Sequence, residues 1–429
     1  MKRLVQKTIK PFLPMQQLLK AGGLTFFFRI GGLGLNFLIT KIITGQYGEA
    51  VFGNYGLAFT IAQATGILFA LGFPNAIITY IGLKPIHDSY SQYILRKGLT
   101  VLAPLTLLPL LAYFFGAAFI SQEIFNKPGL YNYILIAAFT VPAMILHEFL
   151  LYFFIATGNN LKFNIFMFGV PNAILLLLLL CVQNVPGHYS FLFYAASVIV
   201  TLAIESFFAF KQTARHEQKI LTARQMISFA SPMMFSGIML YLLNWTDTFM
   251  LGALVSEEEL GHYNLAYKIA SLSMLVIISM NVVLAPRVAA LFNSGDLTEL
   301  HKTVRKTTHI IIALTTPLAL GIIVLSDFLL SFFGHGFTGG KEALIIITVG
   351  FWLNALTGNV DQVLNMTGNQ KILQNITIFG FIANVALNLA LIPRYGINGS
   401  AMASVFTNIL FNVTCLLYVK KKLGFYTFA

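Results

Sequence analysis

Gly53-Asn54-Tyr55-Gly56-Leu57-Ala58 returns 208 residues later as Gly261-His262-Tyr263-Asn264-Leu265-Ala266. Thr157-Gly158-Asn159-Asn160 returns as Thr367-Gly368-Asn369-Gln370, at an offset of 210. Two matches at nearly one offset read as an internal duplication. Each period holds six long apolar runs, an even number, so both halves enter a membrane in the same sense. That is a parallel repeat about an axis along the membrane normal, an arrangement that encloses a central cavity with alternating access. The expected fold is all-α and integral to the membrane. About 12 transmembrane helices form two parallel six-helix repeats around that cavity.

Composition agrees with a lipid environment. Of 429 residues, 57% are hydrophobic and only 10% charged. A soluble chain carries about 25% charged residues, so too little charge remains here to wet a water-exposed surface. Runs long enough to cross, about 20 apolar residues each, fall at roughly 21–44, 53–81, 98–120, 130–157, 163–183, 188–210, 226–254, 262–286, 307–333, 342–366, 372–393 and 398–419. Breaks are expected near Pro74 and Pro232 in the two longest. Residues 1–20 read as a basic cytoplasmic arm, 21–210 as a first lobe and 211–225 as a cytoplasmic linker. Residues 226–419 read as a second lobe and 420–429 as a cytoplasmic tail.

Positive charge orients these spans. Of 27 Lys and Arg, 21 fall on alternate loops that include both termini. Three, Lys127, Lys341 and Arg394, fall on the other side, and Arg29, Lys41 and Lys268 lie within spans. Both termini are therefore expected in the cytoplasm. The net charge of +12 is spread along one membrane face instead of forming a nucleic-acid stripe. Cys181 and Cys415 sit in apolar runs with no His/Cys cluster, so neither a zinc site nor a disulfide framework is expected. The nearest approach to a phosphate loop, Gly340-Lys341, has His335 where the first glycine belongs and Glu342 after the lysine. No loop exceeds about twenty residues, which leaves no room for a soluble catalytic domain. Neither a cofactor nor an enzymatic activity is expected.

Ionisable groups inside spans are functional candidates by default. Arg29 is expected near the midplane of the first span, lining the cavity as a phosphate ligand, held in a structural ion pair, or snorkelling toward the cytoplasm. Lys41 lies towards the outer end of the same span, turned about 120° from Arg29. Asp247 and Lys268 fall at matching depths on consecutive antiparallel helices and are expected to pair, as a brace or an outer gate. His147-Glu148, near the middle of the fourth span, is either an ion-coupling pair or a neutral Glu packed between helices. Glu205 and Asp361 are expected to solvate cytoplasmic helix ends. Asn36, Asn172, Asn244, Asn281, Asn354, Asn384, Asn388, Asn408 and Asn412 read mainly as interhelical glue.

The chain resembles the Wzx-type polysaccharide or O-antigen flippases of the multidrug/oligosaccharidyl-lipid/polysaccharide exporter superfamily. The resemblance runs through Lys41-Ile42-Ile43-Thr44-Gly45, the Gly53–Ala58 element and Leu71-Gly72-Phe73-Pro74. It continues from Asp247 through Leu251-Gly252 to Gly261–Ala266 and Ala285-Pro286, and ends in Leu387-Asn388, Ile392-Pro393 and Gly396-Ile397-Asn398-Gly399-Ser400-Ala401. It implies a flippase moving undecaprenyl-pyrophosphate-linked oligosaccharide repeat units from the cytoplasmic to the periplasmic leaflet of the bacterial inner membrane. It also implies a cationic lumen, membrane lipids and a lipid-linked substrate as partners, polymerase and chain-length proteins beside it, and H+ or Na+ as coupling ion. A multidrug or cation antiporter of the same superfamily is the alternative. Such exporters place an acid in the first helix, where this chain has Arg29 and Lys41. A membrane-embedded polymerase or glycosyltransferase is the third reading, against which the short loops stand.

Overall fold

The computed structural model describes residues 15–82, 88–210 and 222–428, and every regular element among them is helical. Most of the 1–20 arm and of the 211–225 linker lies outside the described residues. The elements are α1 (Met15–Phe69), α2 (Phe73–Gly82), α3 (Asp88–Leu105), α4 (Leu107–Ala118), α5 (Tyr131–Ala156), α6 (Asn160–Asn164), α7 (Val170–Cys181) and α8 (Tyr189–Ala209). They continue as α9 (Ala223–Leu254), α10 (Glu257–Ala270), α11 (Met274–Ser294), α12 (Leu297–Val324), α13 (Ser326–Phe333), α14 (Lys341–Thr357), α15 (Val360–Met366) and α16 (Gln370–Leu423).

Nine stretches among the described residues are long and apolar enough to cross a bilayer. Their apolar residues surround the helix. On α7, Leu175 and Leu179 are buried one turn apart, while Leu177 and Leu180 remain 60% and 50% exposed. A helix with one apolar face against protein and another left bare suits lipid. Two of the stretches are interrupted by a glycine, Gly48 (φ 80°) in α1 and Gly396 (φ 55°) in α16. The break expected near Pro74 is present, with Leu71 and Gly72 at positive φ between α1 and α2. The one expected at Pro232 is absent: α9 runs helical through it for 32 residues.

The two copies of the Thr-Gly-Asn motif share their local geometry. Gly158 and Gly368 take φ 77° and 79°, and the following Asn N–H donates five residues back in each copy, Asn159 to Phe154 at 2.7 Å and Asn369 to Leu364 at 3.0 Å. Thr157 and Thr367 each cap the preceding turn by donating to the carbonyl four residues earlier. Helix entry differs between copies. Gly48 breaks α1, whereas its counterpart Ser256 opens α10 with a capping box to Glu259.

Packing divides the chain into two compact units that are not the sequence halves. One comprises Met1–Ile42, Gly66–Ala112 and Ala138–Met234; the other comprises Ile43–Thr65, Tyr113–Ala137 and Phe235–Ala429. In the second, a core of Leu284, Val288, Leu300, Val304, Val363 and Leu364 joins α11, α12 and α15, with Cys415 of α16 buried among them. Cys415 and the exposed Cys181 are both free thiols.

The second unit also explains the repeated Gly-x-Tyr element, because there its two copies pack on each other. A Cβ at Gly53 would strike the Glu257 carbonyl and the Gly261 amide, and one at Gly261 would strike the Glu49 carbonyl. Gly56 faces the side-chain amide of Asn264, its own counterpart. Without side chains at these positions the helices approach backbone to backbone. Around the crossing, Phe52 meets Phe337 edge to face at 6.0 Å, and Tyr241 donates to the Thr60 carbonyl at 3.1 Å. The Lys127 ammonium donates to the Val255 carbonyl. Burial pulls its pKa down and Glu257 and Glu259 push it back. Gly261→Ala is expected to destabilise the protein by about 1–3 kcal/mol. Gly31→Ala, whose Cβ would meet nothing within 4 Å, serves as the neutral comparison in the same thermal unfolding measurement.

Candidate functional site

Asp247 is 5% exposed on α9, deep in an apolar helix, and four neutral groups hold its carboxylate. Tyr263 of α10 donates to Oδ2 at 2.9 Å and Ser404 of α16 donates to the same oxygen. Asn388 and Asn384 of α16 donate to Oδ1 at 2.9 and 3.3 Å. A second layer locks the first. Asn388 also donates to the Asn384 carbonyl at 3.0 Å, and Ser400 donates to Asn388 Oδ1 at 2.8 Å. Lys268 is not among the partners of Asp247, so the expected ion pair is not what holds this carboxylate.

The cluster opens into a cavity of about 220 Å³ within the second unit. Asn281, Asn354, Asn384, Asn408 and Asn412 line it, together with Asp361, and no Lys or Arg among the described residues does. Five of the asparagines first read as glue thus share one polar chamber. Asp361, expected to solvate a helix end, faces into it. The sequence carries a trace of this: Ser400, Ser404, Asn408 and Asn412 recur every four residues, which puts them on one face of α16. The exposed Met402, Phe406, Ile409 and Val413 occupy its other side.

An uncompensated carboxylate in such a place is costly unless it takes up a positive charge. Carboxylate, amide carbonyl and hydroxyl oxygens are hard donors suited to a proton or a hard monovalent cation. No group of three or more His, Cys, Asp or Glu side chains that could hold a metal occurs among the described residues.

In the first unit, the structure gives His147 a different partner from its neighbour Glu148. His147 Nδ1 lies 2.8 Å from Glu205 Oε2, and Glu205 is completely buried on α8. Successive helical residues point about 100° apart, so His147 turns to α8 while Glu148 leaves the same helix in another direction. Glu205 is accordingly a buried pairing group and not a solvating end. Arg29 is exposed on α1, with no hydrogen bond or ion pair to another described residue. It lies nineteen residues before Gly48, about 28 Å along α1, which continues helical past residue 44. Lys41, half-buried, lies about 10 Å from the same break.

A family model described as "Polysaccharide biosynthesis protein" matches residues 48–338. A probable low-salt glycan biosynthesis flippase of Haloferax volcanii is 23% identical over 199 residues, which are 46% of this chain and 42% of that protein. The chain thus matches less than half the length of that relative, and the same holds for the lipid II flippase MurJ of Bacillus subtilis, 23% identical over 47% of this chain and 39% of its own. Among solved structures, lipid II flippase MurJ in an inward closed conformation superposes with a TM-score of 0.77 at 15% identity, covering 94% of this chain and 87% of that one.

Proposed function

The chain belongs to this polysaccharide biosynthesis family, and from that premise we propose that it is a lipid-linked oligosaccharide flippase driven by a cation bound at Asp247. The cargo on this reading is an undecaprenyl-pyrophosphate-linked repeat unit, carried by alternating access from the cytoplasmic to the periplasmic leaflet. Polymerase and chain-length proteins act on it afterwards. The observation that carries the reading is the division of charge. A buried acid with only neutral partners occupies one unit, and an exposed arginine in an apolar helix occupies the other. The acid chamber takes a proton or Na+ and would repel a diphosphate. Arg29, with its two-pronged guanidinium, suits the phosphates.

The chamber's 220 Å³ lies below the roughly 300–1,000 Å³ typical of sites for drug-sized ligands. This favours a coupling ion over the multidrug alternative. Twelve crossings follow if the segments on either side of Gly48 and Gly396 each cross and α9 is added to the nine apolar stretches. The termini then share the cytoplasmic side. The test is reconstitution into proteoliposomes with a fluorescent polyprenyl-diphosphate oligosaccharide, whose leaflet is read by a membrane-impermeant quencher. Movement that depends on a pH or Na+ gradient is expected. Transport of ethidium with no movement of the lipid would overturn the assignment.

A further inference from the structure

Where α11 turns into α12, the surface carries a cluster of cations that the transport cycle above does not use. Arg287 projects from the end of α11; Lys302, Arg305, Lys306 and His309 project from the start of α12. They line two adjoining grooves of about 310 and 390 Å³ that share Lys302, Lys306 and Ile310. One acid, Glu299, lies in the first groove, 3.5 Å from Arg287, with both side chains substantially exposed. The Thr303 hydroxyl, which also lines that groove, is buried and has no hydrogen-bond partner among the described residues.

Depth and neighbours indicate the ligand. α12 has 28 residues and so spans about 42 Å, against about 30 Å for the hydrocarbon core. The excess of about 12 Å, about eight residues, carries the turn bearing Lys302 into the headgroup layer, and Lys306, one turn further along, reaches the same layer with its long side chain. Beyond them Ile310, Leu314 and Leu318 are exposed every four residues and form an apolar stripe that continues the groove along the helix. Cations and an unpartnered hydroxyl at headgroup depth, continuous with a stripe along which an acyl chain can lie, match a phospholipid end to end. Basic pockets between transmembrane helices at this depth select anionic headgroups.

We propose that the α11–α12 groove is a binding site for an anionic phospholipid of the bilayer. The phosphate sits among Arg287, Lys302 and Lys306, the Thr303 hydroxyl donates to it, and an acyl chain follows Ile310, Leu314 and Leu318. A resident lipid fits better than the glycan cargo because the lining has no Phe, Tyr or Trp ring, among the described residues, against which a sugar could stack. The site rests on the chain being embedded in lipid and is independent of what it transports, so a failed flipping assay leaves it standing.

The experiment is native mass spectrometry of the purified full-length protein titrated with phosphatidylglycerol, cardiolipin or phosphatidylcholine. The wild type is expected to bind the two anionic lipids at least about tenfold more tightly than phosphatidylcholine. With each interfacial cation contributing about fivefold, Lys302→Gln/Lys306→Gln should weaken anionic-lipid binding by roughly twentyfold. The same charge removal in the other unit, Arg96→Gln/Lys97→Gln on α3, should leave it within about twofold. Equal wild-type affinity for all three lipids would exclude the site without reference to any variant. Equal loss in both double variants would reduce it to diffuse surface charge. Displacement of the bound lipid by equimolar polyprenyl diphosphate would overturn it in favour of a cargo site.

Discussion

With alanine in place of Arg29, export of surface polysaccharide is expected to fall on the order of a hundredfold while the protein remains in the membrane at its normal level. The magnitude is that of a charged hydrogen-bonding group lost from its ligand, about 1.5–3 kcal/mol. The physical need is plain: a diphosphate leaving the headgroup layer gives up hydration that only fixed cations and water can replace. Arg29 is exposed on α1 and has no partner among the described residues. On the proposed function, its position about 28 Å from the Gly48 break suits a headgroup collected from one leaflet. Arg29→Lys keeps the charge but loses the planar pair of donors, and about a tenth of the export should remain. The measurement is surface polysaccharide per cell, normalised to membrane-bound protein. Depletion of the alanine protein from the membrane would point instead to a structural role, and undiminished export would remove Arg29 from the pathway.

Asp247→Asn is expected to uncouple the protein from its ion gradient without unfolding it. The replacement has the same shape, and the hydroxyls of Tyr263 and Ser404 can turn to accept from the new amide. What disappears is the negative charge at which the proposed function places the coupling proton or Na+. Gradient-driven flipping in proteoliposomes should drop on the order of a hundredfold, the scale of one charge-assisted interaction. Thermal stability should hold or rise, since an unpaired buried charge is removed. Asp247→Glu keeps the charge in a longer side chain and should retain a measurable part of the rate. Gradient dependence that survives intact in the asparagine variant would show that coupling resides elsewhere, and His147–Glu205 would be the pair to test next.

The all-helical membrane class was readable because it is a pattern along one dimension, as are the duplication and the alternation of charge from which the repeat and the topology are proposed. Hydropathy needs only a run of about 20 residues, and the Gly53 and Gly261 elements declare their kinship by spacing. Helix extent was partly readable as well. The break beside Pro74 was anticipated, whereas the continuation of α1 to Gly48 was not.

Partnership was beyond the sequence. Asp247 was matched in depth with Lys268, but its carboxylate is held by Asn384, Asn388 and Ser404, 137 to 157 residues away. His147 was read beside Glu148, but it reaches across to Glu205, 58 residues on. The reason lies in the solvent. In water, an apolar stripe reveals which face of a helix turns inward, but in lipid both faces are apolar and that signal vanishes. What turns each helix is then the close approach of small residues and the pairing of polar ones. Gly53 against Gly261, and the asparagines around Asp247, acquire those partners only once the chain has folded.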